Sequence, residues 1–132
     1  LLNKNSGLEG LAGSNDMRII RGLINKGDQQ AALAINMYVY RIKKYIGAYA
    51  AAMNGVDAIL FTAGVGENDI EIRRLICSDM EYLGLQLDEN ENAAAGSRIR
   101  AVQQPHSKVK ILVVPTNEEL EIAMQCFQLA IV

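Results

Sequence analysis

Residues 58–69 read AILFTAGVGEND, and no other part of the chain says more about its architecture. A run of apolar residues ends in a Gly-x-Gly turn, and Asn68 then opens the polar start of a helix. Glycines at a strand-to-helix turn let backbone N–H groups approach a ligand where a Cβ atom would collide. In an open α/β sheet, ligands bind outside the carboxyl ends of the strands, where this turn is expected. The stretch therefore indicates a small-molecule site, with a nucleotide as the favoured ligand.

The glycine spacing alone leaves a second interpretation open. A dinucleotide-binding fingerprint requires a third glycine, but position 69 is Asp. The chain also has no Gly-x-x-x-x-Gly-Lys-Ser/Thr phosphate loop. An ordinary tight turn that leads into a capped helix would show the same spacing, so residue spacing does not decide between the two.

Length and composition are those of one globular domain over residues 1–132. Half of the residues are apolar and 21% are charged, which is typical of folded proteins and not of disordered ones. The 13 basic and 15 acidic residues give a net charge of −2. This balance offers no basic field for nucleic acid or for an anionic membrane surface. The longest uncharged apolar stretch, residues 45–53, is far shorter than the ~20 residues that span a bilayer.

The cysteines and the single histidine do not form a recognisable chemical motif. Cys77 and Cys126 lack CxxC spacing, which favours a pair of buried, reduced thiols in a cytosolic protein over a disulfide. His106 lies in a turn that contains a proline. We expect it to be solvated and not catalytic.

The first part of the chain has helical periodicity after a polar start. Residues 2–15 are rich in Gly, Asn and Ser and predict a loop. Ser14 or Asn15 is expected to cap a helix over 16–26, and residues 28–53 predict a long helix. An apolar stripe at steps of three and four follows this long helix: Ile35, Val39, Ile42, Ile46, Tyr49 and Met53.

The second part predicts strands alternating with helices. Residues 56–62 form an apolar run without alternation, as expected for a strand buried on both faces. Further strands are expected at 84–87, 98–102 and 109–114, with helical turns at 88–95 and a turn at 103–107.

Two capping-box spacings mark the remaining helix starts. Asn68 and Glu71 predict a helix over 69–80, and Thr116 with Glu119 predicts the start of the last helix. The resulting order, α-α-β-α-β-β-α, predicts an α/β layer architecture.

Four segments resemble the acetate kinase family in the right order. Residues 61–68, FTAGVGEN, resemble the Phe-Thr-Ala-Gly-Ile-Gly-Glu-Asn signature of that family. The other three are residues 2–8 with 16–18 downstream, residues 41–49 and residues 114–120. The likeness covers nearly the whole chain and falls on the C-terminal third of these longer enzymes. It implies that the chain is a fragment.

The resemblance implies a fold and an activity. The fold is the actin-like or ribonuclease-H-like fold of the acetate and sugar kinase, Hsp70 and actin superfamily, with this chain as part of the C-terminal nucleotide-binding domain. The activity is reversible phosphoryl transfer between ATP and acetate, which gives acetyl phosphate and ADP, with Mg²⁺ as the cofactor. The family's catalytic groups lie upstream of residue 1. We therefore expect no catalytic residue in this chain and no activity from the chain alone.

The resemblance also implies site residues. Arg18 can place a planar guanidinium against a nucleotide and Met17 can pack on an adenine ring, although Asp16 would equally suit an ordinary first helical turn. The resemblance also implies Glu118 as a Mg²⁺ ligand; its carboxylate is not needed for the capping box of Thr116 and Glu119. The nucleotide-binding residues implied are Asp16, Met17, Arg18, Gly64, Val65, Gly66, Glu67 and Asn68.

Related activities and a second class of function stay open. Propionate or butyrate kinase belongs to the same family, and a non-catalytic nucleotide-binding or dimerisation module is the alternative of a different class. The long helix, apolar on more than one side, predicts a homodimer contact. We expect a cytoplasmic protein without nucleic-acid or membrane partners.

Overall fold

A computed structural model of the chain describes residues 5–130, except for the side chain of Glu118. The chain divides into two compact units, one ending at Gly55 and the other beginning at Val56. No helix within the described residues is long and apolar enough to cross a bilayer.

The first unit consists of three helices. These are α1 (Gly7–Ala12), α2 (Met17–Asn25) and α3 (Gln29–Ala52), and both α1 and α2 pack against α3. Asp28 caps the long helix, because its Oδ1 accepts hydrogen bonds from the N–H groups of Gln30 and Ala31. The buried side chains of this unit are Ile20, Ala31, Ala34, Ile35, Val39 and Ala50.

Two local predictions for this unit were wrong. The expected loop over 2–15 contains α1, which ends at Gly13 with a φ of 69°; residues 2–4 lie outside the described part. The cap of α2 is neither Ser14 nor Asn15 but Asp16, whose Oδ1 accepts from the N–H of Arg18 at 2.8 Å. Ser14 instead accepts from the N–H of Asp16 at 3.1 Å. Ser14, Asn15 and Asp16 are all residue types that cap helices. The sequence alone therefore does not say which of them occupies the cap position.

The apolar stripe of α3 is buried only along its first half. Ile35 and Val39 are each 7% exposed, whereas Tyr49 and Met53 are 62% and 65% exposed. The helix has 24 residues and is therefore longer than the short helices that pack on it. Its C-terminal half presents apolar surface.

The second unit is built on a three-stranded sheet in the order β1-β3-β2. Strand β1 (Ala58–Phe61) pairs in parallel with β3 (Lys110–Val113), and β2 (Arg100–Ala101) pairs antiparallel with β3. Helices α4 (Ala63–Asn68), α5 (Ile70–Cys77), α6 (Glu89–Ala93) and α7 (Glu118–Ala130), and a 3-10 turn at Glu81–Leu83, complete the unit. Its core includes Phe61, Ile72, Ile76, Met80, Leu85, Val102, Val109, Ile111 and Val113.

The strands are shorter and less covered than predicted. Leu60 is 57% exposed, so β1 is not buried on both faces within the described residues. The strand expected at 84–87 is reduced to a single bridge between Leu87 and Gln103. Gly84 has a φ of 87° and ends the 3-10 turn there, which prevents an extended chain.

One cysteine prediction was correct and the other was not. Cys77 is buried and free, but Cys126 is exposed and free on α7. The expected burial of Cys126 was wrong, and most of the apolar side chains of α7, such as Phe127 at 68%, are exposed as well.

Candidate functional site

The Gly-x-Gly stretch is helical and not an open turn. Thr62 is extended, with φ −144° and ψ 173°, and the chain enters α4 at Ala63. Ala63 has a φ of 58°, a left-handed conformation that residues other than glycine rarely adopt and that concentrates at functional sites. Gly64 and Gly66 then lie within the helix. The predicted turn was therefore wrong in conformation, although its place after β1 was right.

Glycine suits positions 64 and 66 for different physical reasons. A Cβ atom at Gly66 would lie 3.0 Å from the carbonyl carbon of Phe61 and 3.3 Å from its Cα. Glycine at this position therefore lets α4 pack closely on the end of β1. A Cβ at Gly64 would meet no atom within 4 Å. Gly64 leaves open space beside the backbone, which is what a ligand requires.

A cleft of about 470 Å³ lies beside α4. Ala63, Gly64 and Glu67 form one side, and Thr116, Asn117 and Glu119, which follow β3, form the other. The strands that precede the two sides, β1 and β3, are parallel, so the cleft lies at their carboxyl ends. Ligands of open α/β sheets bind at this edge, and the volume is in the range of small-molecule sites.

Glu67 joins the two sides of the cleft. Its Oε1 accepts hydrogen bonds from the N–H of Thr116 at 2.9 Å and from the Thr116 hydroxyl at 2.8 Å. Both hydrogen bonds lower the pKa of the Glu67 carboxyl, the one from the Thr116 N–H more than the one from the Thr116 hydroxyl. In this structure Glu67 is therefore a brace between segments 49 residues apart.

Both predicted capping boxes were wrong. Thr116 is engaged with Glu67, and the cap of α7 is Asn117, whose Oδ1 accepts from the N–H of Leu120 at 2.9 Å. The cap of α5 is Asp69 and not Asn68: Asp69 Oδ1 accepts from the N–H of Ile72 at 2.9 Å. Sequence reasoning missed Thr116 and Asn117 as cleft residues, since the only local signal was their polarity after a strand.

Asn68 is turned to its own helix. Its Nδ2 donates to the carbonyl oxygen of Gly64 at 2.9 Å. The five predicted loop residues are thus brought together in one short helix. Of these five residues, Gly64 and Glu67 line the cleft.

The other predicted nucleotide segment lies in the first unit. Arg18 donates from Nε to Asp16 Oδ1 at 3.1 Å and from Nη2 to Asp16 Oδ2 at 2.6 Å. The side-chain hydrogen bonds from Arg18 lower the pKa of Asp16 to about 2. Met17 is half-buried. The Arg18 side chain is 90% exposed, so its guanidinium is accessible although it already holds a carboxylate.

The predicted metal ligand cannot be placed in full. Glu118 is the first residue of α7, and its side chain lies outside the described part of the chain. Among the residues that the structure describes, no group of three or more His, Cys, Asp or Glu side chains converges. The residues that line the cleft include Glu67, Glu119 and Asn117, whose side chains carry carboxylate and amide oxygens. Such oxygen atoms suit Mg²⁺, which needs only one or two carboxylates when phosphate oxygens and water complete its shell.

Comparison with known proteins identifies the family. The sequence profile described as the Acetokinase family matches residues 1–124. The chain belongs to this family. An acetate kinase of Oleidesulfovibrio alaskensis is 54% identical over 123 residues, which are 93% of this chain and 31% of that protein.

Two solved structures, of an acetate kinase and a propionate kinase, share the architecture. A crystal structure of Porphyromonas gingivalis acetate kinase matches with a TM-score of 0.88 and 47% identity, over 97% of this chain and 32% of that one. A propionate kinase of Francisella tularensis matches with a TM-score of 0.82 and 41% identity, over 92% and 31%. The predicted α/β, actin-like or ribonuclease-H-like kinase fold is therefore confirmed for this part of it. The chain spans about a third of the length of these relatives.

Proposed function

We propose that this chain is the C-terminal, nucleotide-side part of an acetate kinase, which transfers a phosphoryl group reversibly between ATP and acetate. The products are acetyl phosphate and ADP. The observation that carries the proposal is the cleft of about 470 Å³ at the carboxyl ends of β1 and β3. One side of it is α4, which belongs to the stretch 61–68 that resembles the family's signature. The names of close relatives support the reaction.

The nucleotide is proposed to lie against α4. The open space beside Gly64 lets a ligand approach the backbone, while the missing side chain of Gly66 lets the helix pack closely on the end of β1. Glu67 and Asn68 contribute mainly by fixing this helix, since both side chains are hydrogen-bonded within the protein. The proposed nucleotide-binding segment is Gly64, Val65, Gly66, Glu67 and Asn68, in which Gly64 offers its open backbone to the ligand.

Asp16, Met17 and Arg18 are proposed as a second nucleotide-contacting segment. Arg18 would exchange one of its hydrogen bonds with Asp16 for a nucleotide oxygen. An exposed ion pair gains little from staying closed, so this exchange is inexpensive. Met17 offers an adaptable apolar surface for a base.

Magnesium is proposed as the cofactor, with Glu118 as a ligand. The cleft residues fit such an ion, because their carboxylate and amide oxygens are hard ligands. When bound, the ion neutralises charge on the phosphates during transfer. The residues of this chain bind and orient the nucleotide. The groups that act on the transferred phosphoryl are expected outside this chain, which we therefore expect to be inactive alone.

A homodimer in the cytoplasm is proposed as the working form. Support comes from α3, which exposes Tyr40 at 65% and Tyr49 at 62%, and from Met53 directly after it, which is 65% exposed. Contiguous apolar surface of this kind marks interfaces. A groove of about 490 Å³ on this helix, lined by Met37, Tyr40, Arg41, Lys44, Tyr45 and Ala48, offers space for side chains of a second copy.

Propionate kinase is the second candidate, favoured by the match to the Francisella tularensis enzyme. Acyl phosphate formation by the full-length gene product with MgATP and acetate, propionate or butyrate decides between them. The proposal expects the highest kcat/KM with acetate. A higher value with propionate or butyrate would assign the related activity. Nucleotide binding without any acyl phosphate would indicate a non-catalytic module.

A further inference from the structure

Arg73 is a buried cation that no sequence pattern singled out. It lies on α5 and is 1% exposed, and its partner Asn92 on α6 is fully buried. The Nε of Arg73 donates to Asn92 Oδ1 at 2.7 Å, and Nη2 donates to the Asn92 carbonyl oxygen at 2.9 Å. Asn92 Nδ2 in turn donates to the carbonyl of Ile70 at 3.0 Å. The pair therefore ties α6 to α5.

The remaining nitrogen of Arg73 reaches the helix beside the cleft. Nη1 donates to the carbonyl oxygens of Gly66 and Glu67, both at 2.8 Å. These are among the last four carbonyls of α4, which lack partners within the helix. A positive charge at a helix C-terminus is also favourable. The guanidinium thus fastens the C-terminal end of α4 to α5 and α6.

Neither member of the pair belongs to the cleft itself. The α4 residues that line the cleft are Ala63, Gly64 and Glu67. Glu67 is held through its carbonyl by Arg73 and through its carboxylate by Thr116. An unpaired buried guanidinium or amide is costly, so loss of these hydrogen bonds is disfavoured. Any displacement of Arg73 would move α4 and with it the open space beside Gly64.

We propose that Arg73 and Asn92 are positioning residues that hold α4 in the geometry that binds nucleotide. The inference rests on the proposed kinase function. A lysine at position 73 has no planar fork and cannot serve Asn92 and the two α4 carbonyls together. A leucine at position 92 has the same branched shape but removes the oxygen that receives Nε and the amide that donates to Ile70. Aspartate at position 92 keeps that oxygen.

Steady-state kinetics of the full-length gene product tests the proposal. Arg73→Lys and Asn92→Leu should each raise the KM for ATP roughly tenfold, because small misplacements of a binding element have large effects. The KM for acetate should stay near the unaltered value. Asn92→Asp should restore the KM for ATP toward that of the parent protein. Arg74→Lys is the matched control, since Arg74 is the next residue, pairs with Glu71 and is 41% exposed.

The outcomes separate this inference from the function on which it rests. An active parent protein whose KM for ATP is unchanged in Arg73→Lys and Asn92→Leu overturns the positioning role alone. An equal rise in both KM values also overturns it, because that pattern means general damage. A parent protein that forms no acyl phosphate overturns both proposals. If Arg73→Lys does not fold, Asn92→Leu against Asn92→Asp decides the question, because both keep the arginine.

Discussion

Gly64 and Gly66 of α4 have different roles, ligand space and packing on β1, which substitutions can distinguish. Gly64→Ala adds a methyl group where the protein has no atom within 4 Å. The free energy of unfolding should therefore stay the same or rise by up to about 1 kcal/mol, since alanine favours a helix. The KM for ATP of the full-length protein should rise, because the methyl group occupies ligand space. Thermal unfolding and kinetics on the same sample provide the two readouts.

Gly66→Ala is the matched variant two positions along. Its methyl group would lie 3.0 Å from the carbonyl carbon of Phe61, so α4 or β1 must shift. We expect a loss of about 1–3 kcal/mol in the free energy of unfolding, as for other overpacked sites. The idea that the two glycines differ fails if Gly64→Ala destabilises the protein as much as Gly66→Ala does.

Asp16 should make the first unit slightly more sensitive to acid, because its pair with Arg18 is exposed to solvent. Its pKa is lowered from 3.8 to about 2, chiefly by the side-chain hydrogen bond from Arg18. A depressed folded-state pKa means that its stabilisation is fully present above pH 3.8 and is lost as the pH falls toward 2. An NMR titration of the Asp16 carboxyl carbon should give the lowered value. Asp16→Asn keeps a cap acceptor without the charge. The difference in the free energy of unfolding between the parent protein and this variant should therefore shrink at low pH. A difference that does not change with pH would contradict the assignment.

Among the elements, the connection between α4 and the segment before α7 is the one that shapes the cleft. Glu67→Gln weakens the acceptor of the two Thr116 hydrogen bonds, and Thr116→Val removes the hydroxyl donor. Each should raise the KM for ATP, and the double variant should be less than additive, because both remove one interaction. A double-mutant cycle on kcat/KM for ATP measures this coupling. Strict additivity would mean that the brace has no role in binding.

The sequence predicts the long elements well and the short ones poorly. The helix over 28–53 is found as Gln29–Ala52 and the strand over 109–114 as Lys110–Val113, since periodicity and apolar runs extend over many residues there. The short helices α1 and α4 were missed. Their Gly-rich sequences favour turns locally. Tertiary packing, such as the close approach of Gly66 to Phe61, stabilises a helix instead.

The candidate site was predictable only in part for the same reason. Its position after β1 followed from the order of an apolar run and glycines. The contacts that organise it join residues far apart: Glu67 with Thr116 at a separation of 49, and Arg73 with Asn92 at a separation of 19. No local pattern carries such pairings. The family resemblance supplied the signature but not the partners of its side chains.

For the whole molecule, the exposed apolar residues of α3 predict a homodimer that substitutions should disrupt. Tyr40→Glu together with Tyr49→Glu places charge on side chains that are 65% and 62% exposed. We expect the full-length gene product to be a dimer and the double variant to be a monomer with unchanged thermal stability of the fold. Light scattering over a dilution series distinguishes the two. A parent protein that is monomeric at every concentration would remove the dimer proposal.

The nucleotide-side assignment is tested by a crystal structure of the full-length gene product with MgADP. The proposal predicts nucleotide density in the cleft, with the backbone of Gly64 in contact with the ligand. Glu67 should remain hydrogen-bonded to Thr116. Density at another place on the protein, with the cleft between α4 and residues 116–119 filled only by water, would contradict it.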